Sequence, residues 1–318
     1  MQQNKEPNFF VIGAAKCGTT TLYDFLEQHP DVYMSPIKEP HFFCSDIRIE
    51  NFSEEYKKYV YSRGINIQDY VAGDMSKKYW EWYIDDFSTY LKLFKNATNQ
   101  KAIGEISNGY LFSTVSATEI KNKYPLAKIV MILRNPISRA YSHYLANVRD
   151  GRTTLPFREE IKNDLKKPVK GWCISHNYIE MGMYYSQVKR FLDAFPANQV
   201  LIFLNDDLKS NANNVGQKLF DFIGVDINAS INYSNKQNEA KMPKWTGLIK
   251  FITQTGLKRK LFRALPESIQ AKIKPVFFKE GSIPKMSEED KQWLNTIFKE
   301  DIEKTQALIN RDLSHWLK

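Results

Sequence analysis

The sequence predicts an α/β protein, a parallel sheet covered by helices on both faces and folded as one domain. Three observations predict it. Continuous apolar runs of strand length recur at 9–13, 32–35, 101–106, 128–133 and 200–204, the pattern of strands buried on both faces. Helical periodicity follows most of them, at 19–29, 113–124, 136–149, 183–195, 211–223 and 288–309, and that alternation implies crossover connections. No repeat, linker or low-complexity stretch divides the 318 residues, a length ample for a full core.

Taken in order, residues 9–13 read FFVIG, an apolar run ending in a glycine where the chain must turn. A helix starts at Thr19 or Thr20 and closes as an amphipathic segment before Pro30. In 38–43, KEPHFF, Pro40 discourages helix, and alternation along an extended stretch puts Glu39 and His41 on one side. The run KIVMIL at 128–133 ends in Arg134, and Pro136 opens the next helix. Ser142, eight residues after Arg134, lies about two turns along it. The stretch GMYYSQVKRFLDAF, with Tyr184, has the spacing of core packing, and Trp172 and Tyr178 are read as core or lid. Residues 230–286 are poor in strand signals and rich in Lys, Asn and Pro. The core is therefore expected over 8–226, with a loop-and-helix cap and C-terminal helices over 227–318.

Lys and Arg number 45 against 36 Asp and Glu, for a net charge of +9. That balance favours anionic partners such as phosphorylated cofactors, acidic glycans, nucleic acid or anionic lipid, and it equally suits a solubilising surface. The basic run KRKLFRALP at 258–266 is read as a solvated face. No apolar stretch approaches the ~18–20 residues of a membrane span, and the N-terminal residues hold no signal-peptide core. Three scattered cysteines, Cys17, Cys44 and Cys173, make neither a disulfide framework nor a four-ligand zinc site. A reducing, cytoplasmic setting is expected.

The turn after 9–13 reads Gly13-Ala14-Ala15-Lys16-Cys17-Gly18-Thr19-Thr20-Thr21. It has a phosphate loop's ingredients, but the lysine precedes the second glycine, unlike the Gly-Lys-Ser/Thr of a Walker A loop. Free N–H groups at a helix start form an anion site. Lys16 adds a point charge, and the threonine hydroxyls add donors. Glycines and threonines alone would fit an ordinary capped turn; Lys16 tips the reading to a phosphate or sulfonate. A triphosphate hydrolase also needs magnesium ligands, usually a strand ending in Asp. Here that strand ends in Arg134, which suggests a second phosphate held without metal and shared with Ser142. Cys17, at the helix start, is placed for a lowered thiol pKa.

These residues carry a resemblance. VIGAAKCGTTTLYDFLEQHP resembles the 5′-phosphosulfate loop of sulfotransferases that use 3′-phosphoadenosine 5′-phosphosulfate (PAPS). ILRNPISRAYSHYL resembles that family's 3′-phosphate segment, with Arg134 and Ser142 in the two expected places. KEPHFF resembles the segment carrying the catalytic carboxylate of heparan sulfate sulfotransferases. GEISNGYL at 104–111 sits where the family has Gly-Glu-x-Ser/Thr-x-x-Tyr. The tail from Lys285 to Trp316 is similar to bacterial members' C-terminal helices.

The resemblance implies a P-loop-like three-layer fold with a central, mainly parallel five-stranded sheet. It also implies PAPS as co-substrate, adenosine 3′,5′-bisphosphate (PAP) as product, no metal, and transfer of a sulfonyl group to a hydroxyl or amine. Lys16, Cys17, Gly18, Thr19, Thr20, Thr21, Arg134 and Ser142 would bind the nucleotide. Lys16 would also meet charge developing on the bridging oxygen. Glu39 is the candidate general base and His41 the next; a salt bridge of Glu39 to Lys38 is the plain alternative. Glu105 and Ser107 would face the acceptor, although Ile106 stands where some relatives have a lysine. Lys279 and Gly281 fall where heparan enzymes have a disulfide-tethered Lys-Gly-Arg loop over the nucleotide; here Glu280 separates them and no cysteine is near.

The acceptor, a small molecule or glycan, is not identified by the sequence, nor is the choice between monomer and homodimer. Two alternatives stay open: a P-loop kinase, and a non-catalytic polyanion binder. No nucleic-acid motif appears.

Overall fold

The computed structural model describes residues 5–62, 64–234, 242–243, 278–279 and 285–318. Five parallel strands form the central sheet: β1 (Phe9–Val11), β2 (Val32–Met34), β3 (Ala102–Ile106), β4 (Lys128–Leu133) and β5 (Val200–Leu204). Their order is β2-β3-β1-β4-β5, with Phe9 opposite both Gly104 and Lys128. Each apolar run becomes one strand. Phe9, Phe10, Val11 and the stretch from Ile129 to Leu133 are fully buried, which is why these runs show no polar alternation. A short antiparallel pair, β6 (Met242–Pro243) with β7 (Phe278–Lys279), lies outside the sheet.

The helices among the described residues are α1 (Thr19–Gln28), α2 (Glu54–Tyr61), α3 (Ile67–Ala72), α4 (Phe87–Lys92), α5 (Gly109–Phe112), α6 (Ser116–Lys123), α7 (Pro136–Arg149), α8 (Phe157–Leu165), α9 (Tyr184–Ala194), α10 (Asn205–Ser210), α11 (Ala212–Ile223) and α12 (Glu288–Ile309). The helix expected over 113–124 starts later. The Ser113 hydroxyl accepts the N–H groups of Val115 and Ser116, so it ends α5 and begins α6. Helices α2, α3 and α4, which the periodicity does not announce, are capped by the side chains of Ser53, Asn66 and Asp86. The cap expected within 230–286 falls largely outside the described residues, as do Gly281 and the basic run at 258–266.

Two arrangements position the carboxyl ends of β1, β3 and β4, where ligands of parallel sheets bind. Residues 36–40 run beside the end of β3. There Glu39 N–H donates to the Ile106 carbonyl (2.7 Å), Lys38 N–H to Tyr79 (2.8 Å) and Trp82 N–H to Glu39 (3.1 Å). At the other side, α12 carries Asp301, whose carboxylate accepts the N–H groups of Tyr184 (2.6 Å) and Tyr185 and so caps α9. The C-terminal Trp316 is buried; its carbonyl accepts from Asn135 Nδ2 (2.9 Å) and its indole donates to Asp206 (3.0 Å).

Candidate active site

The chain after β1 stays bonded to β4 as far as Ala14, whose N–H donates to Ile132 (2.9 Å). It then turns through a left-handed Lys16 (φ 69°) into α1. Two side chains pin the turn: Arg134 Nη1 donates to the Lys16 carbonyl (3.2 Å) and Asn205 Nδ2 to the Cys17 carbonyl (2.8 Å). Gly18 at the helix start has φ 117°, and a Cβ there would come within 3.1 Å of both Asn205 and Leu208. A capping serine or aspartate is therefore excluded by shape, and α1 has no side-chain cap and no acid in its first turn. The N–H groups of Thr21 and Leu22 close on the Gly18 carbonyl. Those of Gly18, Thr19 and Thr20 meet no acceptor among the described residues, the arrangement that binds an anion.

Lys16 enters no ion pair among the described residues. Burial and the Arg149 guanidinium, opposed by Asp150 and reinforced by Arg134 and Arg139, bring its ammonium down to about 8. Arg134, at the end of β4, is also without an ion pair among the described residues, and its Nε is buried with no hydrogen-bond partner. Ser142 stands partly exposed on α7. No hydrogen bond joins it to Arg134 among the described residues.

Lys38 is a functional candidate that sequence reasoning read only as a partner for Glu39. It makes no ion pair with Glu39. Its ammonium donates instead to Thr20 Oγ1 (3.0 Å) and lies 4.7 Å above the exposed Trp80 ring. Burial lowers its pKa against the opposing charges of Glu39 and Asp24. A buried lysine from a separate segment thus reaches the loop that carries the half-buried Lys16.

Glu39 and His41 do meet, with Oε2 and Nε2 3.4 Å apart, but not by strand alternation. Both residues have left-handed backbones (φ 67° and 51°), a conformation that surrounding structure must hold in place for non-glycine residues. Glu39 Oε1 accepts from Asn108 Nδ2 (2.7 Å). Burial pushes the Glu39 carboxyl up, but the His41 contact, the Lys38 charge and the Asn108 bond together bring it below its ordinary value, so it is ionised at neutral pH. The His41 ring is stacked on Tyr83 (4.6 Å, 8° between planes) and flanked by Trp172. A Cβ on Gly109 would lie 2.8 Å from its Nδ1. The His41 side chain is 0% exposed against 16% for Glu39, so the carboxylate and not the imidazole is open to solvent.

Two expectations need correction. Glu105 and Ser107 do not face the cleft, because both are fully buried. Glu105 accepts from Ser107 Oγ (2.7 Å), Tyr110 (2.7 Å) and Tyr90 (2.9 Å). Ser107 and Tyr110 then receive the N–H groups of His41, Phe42 and Phe43. Together they are the framework that bends KEPHFF. Asn108, one residue further on, is the member of that motif which reaches the site. Cys17 is the second correction. Its side chain is buried, burial pushes the thiol up and not down, and its N–H is taken by Ala14. Lys279 falls in β7, and no cluster of His, Cys, Asp and Glu fit to hold a metal occurs among the described residues.

The chain is similar to known proteins over most of its length. Residues 6–316 match the sulfotransferase domain. Mouse carbohydrate sulfotransferase 15 is 24% identical over 248 residues, covering 69% of this chain and 44% of its own. The Xenopus laevis bifunctional heparan sulfate N-deacetylase/N-sulfotransferase 1 is 27% identical over 246 residues, covering 76% and 25%. The chain therefore spans less than half the length of these relatives. A sulfotransferase structure from Alicyclobacillus acidocaldarius aligns over 99% of this chain and 100% of its own, with 28% identity and a TM-score of 0.70. The mouse sulfotransferase SULT7A1 complexed with PAP shares the fold, with 14% identity over 95% and 86% of the two chains and a TM-score of 0.50.

Proposed function

The chain belongs to the sulfotransferase family, and from that premise we propose that it moves a sulfonyl group from PAPS to a hydroxyl or amine of a carbohydrate or other hydroxylated acceptor. One observation carries the reading: cations without ion pairs and free amides gather at a loop joined through Thr20 and Lys38 to an ionised, partly exposed carboxylate. PAPS supplies the sulfonyl group and departs as PAP. The Gly18, Thr19 and Thr20 amides with Lys16 fit its 5′-phosphosulfate, and the orphaned Nε of Arg134 fits the 3′-phosphate, with Ser142 alongside. Glu39 takes the acceptor proton as the acceptor oxygen bonds to sulfur and the bond from sulfur to the bridging oxygen breaks. Lys16 meets the charge left on that oxygen, and Lys38 with Thr20 steadies the sulfonate. His41 and Asn108 aim the carboxylate.

Family membership leaves no place for the kinase and non-catalytic binder alternatives. The names of the carbohydrate-modifying relatives, and the exposed Trp80 beside Lys38, support a sugar ring as acceptor; such rings stack on indole faces. The three free, buried cysteines support a reducing, cytoplasmic setting. Calorimetry without magnesium should show micromolar PAP binding and much weaker 5′-AMP binding. Equal affinities would remove the 3′-phosphate site. A screen of acceptors with PAPS, read by mass spectrometry for one added sulfonyl group, identifies the acceptor.

A further inference from the structure

Three contacts tie the end of β4 to the loop. The Arg134 side chain donates to the Lys16 carbonyl (3.2 Å), and the Tyr184 hydroxyl donates to the Arg134 carbonyl (2.9 Å). The Tyr184 oxygen also lies 3.4 Å from Cys17 Sγ. Since the Tyr184 proton is committed to Arg134, the Cys17 S–H is what can donate in that last contact, shared with the Ala15 carbonyl at 3.6 Å. The result is a closed ring: Lys16 to Arg134, Arg134 to Tyr184, Tyr184 to Cys17, and back along the chain. Cys17 is fully buried and Tyr184 nearly so, so water does not compete for their contact. Tyr184 is anchored from outside the ring by Asp301 on its N–H (2.6 Å).

From this ring we infer that the two anion sites are mechanically coupled. The 3′-phosphate held by Arg134, acting with Tyr184, keeps Lys16 aimed at the sulfonyl group. The inference rests on the PAPS reading of the loop and of Arg134. A guanidinium has five N–H donors, of which the Lys16 carbonyl uses one and the buried Nε none. Arg134 can therefore take a phosphate oxygen while keeping Lys16. A phosphate there immobilises the group that fixes the Lys16 carbonyl, and the left-handed backbone at Lys16 does not hold its orientation unaided. Tyr184 and Cys17 are positioning residues in this scheme; neither touches the nucleotide.

The consequence is a dependence of turnover, and not of affinity alone, on the 3′-phosphate. Turnover at saturation is compared for PAPS and for adenosine 5′-phosphosulfate, which lacks that phosphate. Wild-type protein is expected to favour PAPS in kcat by about tenfold or more, and Tyr184→Phe to bring the ratio towards unity, as loss of one buried hydrogen bond allows. Cys17→Ala should lower the ratio too, and Cys17→Ser, which restores a donor, should recover it. A ratio unchanged in both Tyr184→Phe and Cys17→Ala, or variants that slow both donors equally, would overturn the coupling. If wild-type protein instead bound PAP no more tightly than 5′-AMP, the underlying PAPS reading would fall first.

Discussion

At the scale of single residues, the ionisation states of Lys16 and Glu39 make separate claims. Lys16 titrates near 8 in the free protein, and an anion beside it raises that value. PAP binding should therefore be tightest below pH 8 and weaken as pH rises through it, because the protein must then take up a proton to bind. Calorimetry at pH 7 and 9 in buffers of different ionisation heat checks this; a constant affinity would separate Lys16 from the anion. Glu39→Gln should leave PAP affinity nearly unchanged and cut transfer by roughly 10²–10⁴. The Glu39 carboxyl lies below the ordinary glutamate range, so the wild-type rate should rise with pH in acid and be level near neutrality. That acid limb should be missing from the variant. Both residues were legible in the sequence because each sits in a short motif whose order is the signal. Lys38 and Asn108 were not. The reach of Lys38 to Thr20 joins two distant segments, and whether Ser107 or Asn108 faces the cleft depends on where β3 ends.

At the scale of elements, α1 begins with its amides bare because Gly18 has no room for a cap. Gly18→Ala places a Cβ at φ 117° against Asn205 and Leu208, which should cost roughly 1–3 kcal/mol of stability and shift the amides. Thermal denaturation and PAP titration together test this, and a destabilised variant with wild-type affinity would argue that those amides do not hold the nucleotide. The strands were readable because burial on both faces leaves continuous apolar runs. The short helices α2, α3 and α4, of 8, 6 and 6 residues, have too few turns to show a period. Only their caps, Ser53, Asn66 and Asp86, could have announced them. Strand alternation failed at Glu39 and His41 because the framework of Glu105, Ser107 and Tyr110 forces the backbone out of the β region.

At the scale of the whole molecule, the C-terminal segment braces the site it does not enter. Trp316 is buried, and its carbonyl holds Asn135, the residue after Arg134. Trp316→Ala should lose about 3–5 kcal/mol and weaken PAP binding through the displaced start of α7. Denaturant unfolding measures the first, and a loss under about 1 kcal/mol would mean that the segment is only loosely seated. The strand order was not legible from periodicity, since it depends on which crossovers each strand makes; the family resemblance implied five mainly parallel strands and not their order. One further consequence follows from the two anion sites. On the proposed reading the loop amides and Arg134 would grip phosphates that a charged carrier and its spent form have in common, so these contacts would not tell one from the other. The spent carrier should leave slowly and compete with its replacement. Throughput in a closed vessel should then stall as by-product accumulates, unless another activity strips its 3′-phosphate.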